Sequence, residues 1–393
     1  MLRQSSATET LVVSPISVIF ALAMVHAGAK GTTKSQILNA IAKGESDSAF
    51  QHYYSKLASE IRNAKNVTAD IANGFFLNKQ FAIDNSYDNT ITTKYSAKVQ
   101  SLDFDKIPLQ TIDNFISETT RGKIHDMVKA DAVAGAFSVI VNAIFFKGKW
   151  LTSFEKRSTL KQTFYSSAEN SRQIDFMNAY DRHQLYAEDD DVQVLSLPYT
   201  DSSFTFIIIL PKERFGLAQL RSKLTGSRIQ GLLSRLSSTR VTMKIETDFQ
   251  LQQALKAMGI IQMFTDNADL SGITQEHPLQ VSRAAHRALI EVDEEGTTAA
   301  AATAFVVFAP AMARPEPKIF RADHPFWSFE LITHSVPFLQ VDEEGTTAAA
   351  ATVLVVSITS LMPVDQPKIF RADHPFWFIL TKDRNPLFMG QFV

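Results

Sequence analysis

The 393-residue chain contains no cysteine. That absence excludes a cysteine nucleophile, thiolate zinc sites and disulfides in one step, and it suits a reducing compartment, where disulfides would not persist. An excess of charge of either sign is missing too. The 39 basic and 41 acidic residues leave a net charge of −2. With no basic block, neither nucleic acid nor an anionic membrane surface is an expected partner. Apolar runs such as FVVFAPAMA and FTFIIILP are too short to span a bilayer. The opening MLRQSSATETLVVSP has no apolar core closed by a small-residue cleavage site, so no secretory leader is read there. A lone sequon, Asn66-Val67-Thr68, carries little weight against this. A soluble, cytoplasmic protein is expected.

Enzyme signatures are missing as well. The sequence has no G-x-S-x-G elbow and no H-E-x-x-H pair, which removes two common hydrolytic arrangements. GAKGTTKS at 28–35 lacks the Gly-Lys-Ser/Thr ending of a phosphate loop and reads as a helix end followed by the next helix's cap. The nine histidines show no paired ligand spacing, and AEDDDVQV at 187–194 reads as a solvated acidic turn. No catalytic residue, metal or cofactor is expected.

What is present is ample core material: 45% hydrophobic residues, including 29 Phe. The first third reads mainly as helix. SPISVIFALAMVHAGA, apolar all round, opens on Ser14-Pro15, a cap followed by a first-turn proline. TTKSQILNAIAKG and SAFQHYYSKLASEIRNAKN continue with helical spacing, and LQTIDNFISETTRGKI supplies another helix. Strand-like runs follow at TADIANGFFLNK, FSVIVNAIFFKGKW, DVQVLSLPY, SSFTFIIILP and RVTMKIETDF. Helices first and strands later predict an α+β fold with large antiparallel or mixed sheets. No linker divides residues 1–290.

The end of the chain is duplicated. VDEEGTTAAAAT occurs at 292–303 and 341–352, and KIFRADHPFW at 318–327 and 368–377. Between these frames the copies differ, AFVVFAPAMARPEP in one and VLVVSITSLMPVDQP in the other. Alanine alone favours helix, but the apolar β-branched run that follows favours strand. As a strand, Thr297, Ala299, Ala301 and Thr303 share one face, and Thr346, Ala348, Ala350 and Thr352 share one in the second copy. A strand with only small side chains on that face suits a segment that slides between two existing strands. Gly296 and Gly345 add backbone freedom for a hinge.

These blocks, together with LVVSPISVIFALAMVHAGAKGTTKSQI, VNAIFFKGKW, LSLPYTDSSFTFIIILP, LKAMGIIQMFTDNADLSGI, FRADHPFWF and PLFMGQFV in that order, resemble the serpins over nearly the whole chain. The resemblance implies an α+β fold of about eight or nine helices on three β-sheets (A, B and C) with an exposed reactive-centre loop. It implies no catalysis by the chain itself. A protease attacks the loop, and the freed hinge enters sheet A as a new strand and carries the acyl-enzyme with it. By this resemblance Glu294, Glu295, Gly296, Thr297, Thr298, Ala299, Ala300, Ala301, Ala302 and Thr303 are the hinge, with Gly345 and Thr346 repeating its start. Ser14, Ser17, Asn142 and His286 match the polar shutter under sheet A, and Trp150 matches the breach tryptophan.

Counting along the loop places the cut within 308–314, near Pro310 or Arg314. Met312-Ala313 is the preferred bond, because Pro315 follows Arg314. In the second copy Leu361-Met362 is preferred, because Pro363 follows Met362. Both choices imply a chymotrypsin- or cathepsin-like serine protease, with a papain-like cysteine protease as a further target. The domain reading is a serpin domain over 1–340, with its loop at about 294–317, and an alternative closing segment over 341–393. Such a chain is expected to be monomeric, with loop–sheet polymers open to it through the spare insertable strand. A short first helix leaves an extracellular site open. Two other readings remain: a non-inhibitory, chaperone-like binding protein, or a misassembled product carrying two mutually exclusive loops.

Overall fold

The computed structural model describes residues 10–42, 44–104, 109–128, 136–245, 270, 271, 273, 280–308 and 367–393. Residues 1–312 and 367–393 group as one compact unit; the second unit, 313–366, lies outside the described residues.

Helix α1 (Pro15–Gly28) starts where the sequence indicates. Ser14 caps it by accepting from the Ser17 amide, and Pro15 fills the first turn, where its missing N–H leaves no bond unmade. Its all-round apolar character is matched by burial of nearly every residue. Helix α2 (Gly31–Ile41) follows, then α3 (Asp47–Arg62), capped by Ser46. Helix α4 (Asn85–Tyr95) is capped by Asp84, and α5 is Leu109–Thr119. Two short helices, α6 (Leu217–Lys223) and α7 (Gly226–Ser234), complete the seven α-helices found among the described residues. Sequence periodicity does not reveal α4: NSYDNTITTKY has few apolar positions, and Tyr87, Ile91 and Tyr95 alone form its buried face.

The strands are β1 (Leu11–Val13), β2 (Val67–Asn78), β3 (Lys98–Leu102), β4 (Ala136–Lys149), β5 (Leu160–Tyr165), β6 (Ser171–Glu188) and β7 (Val192–Pro198). They continue with β8 (Phe204–Pro211), β9 (Ser237–Ile245), β10 (Gln280–Val292), β11 (Gly296–Phe308), β12 (Lys368–Arg371), β13 (Phe376–Lys382) and β14 (Asn385–Phe392). They form two sheets, in the order β10-β11-β4-β2-β3 and β1-β14-β13-β8-β7-β6-β9-β12, with β5 on the flank of β6. Three sheets were expected. The two smaller ones run together because the 18-residue β6 pairs with β5 over 171–176, with β9 over 177–186 and with β7 over 185–188.

The main core lies between the two sheets, built from residues such as Ile144 and Phe146 on one side and Phe204, Phe206 and Phe378 on the other. Helix α5 packs against β2 and β4, and Ile112 and Ile116 join Val139, Val141 and Phe145 in a smaller core there. Strands β12 to β14 close the larger sheet, so the described closing strands come from the second copy of the duplicated segment. Their counterparts in the first copy, 318–340, lie outside the described residues. No described helix is long and apolar enough to cross a membrane, and no metal-ligating cluster occurs among the described residues.

Candidate functional site

The strongest feature is the position of the hinge. The resemblance leads one to expect it outside the sheet, in an exposed loop. Instead Gly296–Phe308 is β11, a central strand. It pairs antiparallel with β10 from Thr297↔Val292 to Phe308↔Gln280, and with β4 from Gly296↔Lys149 to Phe308↔Ala136. Two complete ladders satisfy backbone groups that an exposed loop would leave to water. Small side chains allow the fit: Thr297 and Ala299 are buried on the face shared with the core between the sheets. Thr298, Ala300, Ala301, Ala302 and Thr303 follow in register along the same strand.

The turn into this strand is specified locally. Asp293 donates its amide to the Gly296 carbonyl, and its carboxylate accepts from the amides of Glu295 and Gly296 at 2.8 and 2.9 Å, an Asx turn. Two amides anchor the turn to the rim of β4, Trp150 N–H to the Glu295 carbonyl and Phe154 N–H to the Glu294 carbonyl. Thr159 donates to the Glu294 carboxylate at 2.5 Å. Lys156 pairs with Glu295 at 3.1 Å, a bond that holds the Glu295 carboxyl below its ordinary range. Gly296 is required by close approach: a Cβ there would lie 1.9 Å from the Gly148 carbonyl oxygen.

Trp150 sits above this turn. Its indole donates to the Asp293 carbonyl at 2.8 Å, and its ring stacks on Tyr199 at 4.7 Å. Burial pushes the Tyr199 hydroxyl well above its ordinary value.

The shutter residues divide. Ser14 and Ser17 are fully buried at the start of α1, which packs against both β4 and β11, and the Ser14 hydroxyl donates to the Leu387 carbonyl of β14 at 2.7 Å. Asn142 donates to Asn73 on β2 at 2.7 Å, and Asn73 donates to the Tyr95 carbonyl at 2.7 Å. In register, Asn73, Asn142, Thr303 and His286 form one row across the sheet. With β11 in place, Asn142 and His286 are neighbours of Thr303 rather than of each other. The side chain of His286 lies outside the described residues. Sequence reasoning missed Asn73 and Tyr95; the available signal was an asparagine in the middle of the apolar strand TADIANGFFLNK. Met312, Ala313, Arg314, Gly345, Thr346, Leu361 and Met362 lie outside the described residues.

The comparisons agree with this architecture. The family model described as serpin (serine protease inhibitor) matches residues 1–335 and again 330–393, so its end is met twice. Iripin-2 of Ixodes ricinus is 36% identical over 80% of this chain and 82% of its own length. Antichymotrypsin-2 of Bombyx mori is 30% identical over 82% of this chain and 88% of its own. A structure of cleaved Serpin 42Da superposes with a TM-score of 0.77 at 28% identity, covering 98% of this chain and 91% of that one. The chain belongs to the serpin family.

Proposed function

We propose that this protein inhibits serine proteases as a suicide substrate. The protease cuts the loop beyond the hinge, the freed hinge enters between β10 and β4 as the fifth strand of the sheet, and the tethered acyl-enzyme is distorted before water can release it. The observation that carries this reading is the pairing of Gly296–Phe308 between β10 and β4, with only threonine and alanine over the eight residues that follow Gly296. Glu294, Glu295 and Gly296 are the pivot. Trp150 with Asp293 forms the upper seat, and Ser14, Ser17 and Asn142 with Asn73 form the polar floor, to which His286 belongs by register.

The preferred bonds are Met312-Ala313 and Leu361-Met362, with Arg314 a third position for the cut. They point to a chymotrypsin-like or cathepsin-like target, and a papain-like cysteine protease would meet the same loop. The name of the silkworm relative, antichymotrypsin, agrees with the first of these. A cysteine-free chain suits action in a reducing compartment.

The test is to incubate the chain, and a single-copy variant lacking residues 304–352, with trypsin-, chymotrypsin- and elastase-like enzymes and a cathepsin. SDS-stable complexes that disappear with Thr297→Arg support insertion. Fragments beginning at Ala313 or Met362 would identify the bond. Cleavage of the single-copy variant with no complex would remove the inhibitor reading.

A further inference from the structure

Two features of the sheets coexist in one uncut chain. Strand β11 lies fully within the five-stranded sheet, while β12, which follows the loop, keeps its place on β9. Lys368 pairs with Glu188 at 2.9 Å, and Gln193 donates to the Ile369 carbonyl at 3.0 Å.

The route between them is long. Gly296 stands opposite Lys149 and Phe308 opposite Ala136, so a 13-residue strand carries the chain about 40 Å along the sheet. Strand β12 begins back at the Gly296 end. Its Lys368 stands opposite Val241, which stands opposite Arg182. Arg182 donates to the Ser153 carbonyl at 2.9 Å, next to the Phe154 amide that holds Glu294. The chain must therefore return the length of the sheet.

The first copy by itself places its KIF motif ten residues after Phe308, a reach of at most about 36 Å when fully extended. That falls short of the straight return, before any path around the body of the molecule. Its loop could fill the sheet only by being cut or by pulling the closing strand out. In the tandem chain, Lys368 follows Phe308 by sixty residues, a reach of about 200 Å, which removes the constraint.

We propose that the duplication lets the uncut first loop occupy the sheet while the second copy's closing strand stays paired, giving a self-inserted resting form in which the inhibition proposed above waits on release of the loop. This rests on the insertion reading above. The duplicated block thereby acts as a regulator of the same slot: a chain with one copy is spring-loaded, and the full chain must first release its loop.

Hydrogen exchange on the full-length chain, verified as uncut by intact mass, tests this directly. The expected result is that amides of 297–303, present in both chains, exchange at least ~100-fold more slowly than the same amides in the uncut single-copy variant, as buried ladder amides do relative to loop amides. Exchange at equal, loop-like rates in both would overturn the proposal. The two readings fail separately. A single-copy variant that forms covalent complexes, beside a full chain with an unprotected 297–308 segment, leaves the inhibitor reading intact and removes self-insertion. A protected segment in the full chain, beside a single-copy variant that is cut without complex, does the reverse.

Discussion

The two sheets of this protein hold their central strands by opposite means. In the larger one, β13 lies between β8 and β14 with Phe376, Trp377, Phe378, Ile379 and Leu380 all buried. Phe378 stacks on Phe206 at 5.5 Å, and Phe376 stacks on Phe392 at 5.4 Å. Interlocked rings of this kind make withdrawal of the strand equivalent to unfolding. In the smaller sheet, β11 offers threonine and alanine over its first eight residues after Gly296, and its backbone is laddered on both sides. The lesson is that permanence in a sheet comes from side chains and exchangeability from their absence. A strand that is to be exchangeable must be nearly bare.

The contrast can be broken at four points, in decreasing order of effect. Thr297→Arg places a charge at a buried position of β11 where Thr297 is 3% exposed. An unpaired buried charge is strongly disfavoured, so the strand is expected to leave the sheet, with 297–308 losing its exchange protection while the larger sheet stays folded. Phe378→Ala attacks the interlocked sheet instead. Removing a fully buried ring is expected to lower global stability by about 3–5 kcal/mol, measured by denaturant titration, with the protection pattern of β11 unchanged in native buffer.

A gentler change is Gly296→Ala. Its Cβ would collide with the backbone of Gly148, and the forced shift is expected to cost about 1–3 kcal/mol. That cost should fall on the inserted form alone, and be visible as faster exchange at Gly296–Thr298 in the full chain.

The smallest effect concerns a residue away from both strands. His26 in α1 is fully buried, neither ring nitrogen has a hydrogen-bond partner among the described residues, and its Nε2 lies 3.6 Å from Asp47. Burial lowers its pKa from 6.5 to about 4, opposed by the Asp47 carboxylate. The unfolded chain therefore takes up a proton first as pH falls, and stability declines from pH 6.5 towards pH 4. At about pH 5.5 the loss relative to neutral pH is about 1 kcal/mol. His26→Met should flatten that part of the pH–stability curve, measured by urea titration across the range.

Much of this was legible in the sequence because local and global signals agreed. The capped, all-apolar α1 and the apolar strands β4 and β8 could be read directly. The long β6 could not, since SRQIDFMNAYDRHQLYAE carries polar residues through most of its length and only scattered positions, such as Phe176, Ala179 and Tyr186, reach the core. Within the site, the hinge block stood out by composition and repetition, whereas Trp150 came only from the resemblance. The Asn73–Asn142 pair did not, because it depends on β2 and β4 meeting in one register across 69 positions of sequence. Whether a bare strand sits in the slot or outside it is not a local property at all. In the reading proposed above, it depends on how much chain separates it from the next fixed point.

One pairing has a consequence for the order in which the molecule can be made. Strand β1 finds its partner in β14, Leu11 opposite Gln391 and Val13 opposite Met389. Thr10 and Val393 exchange hydrogen bonds across the same junction, and Ser14 holds Leu387 just beyond it. A ribosome delivers these partners far apart in time, 383 positions separating Thr10 from Val393. The first strand must therefore wait, unpaired and apolar, until β14 has emerged, and that side of the larger sheet can be sealed only then.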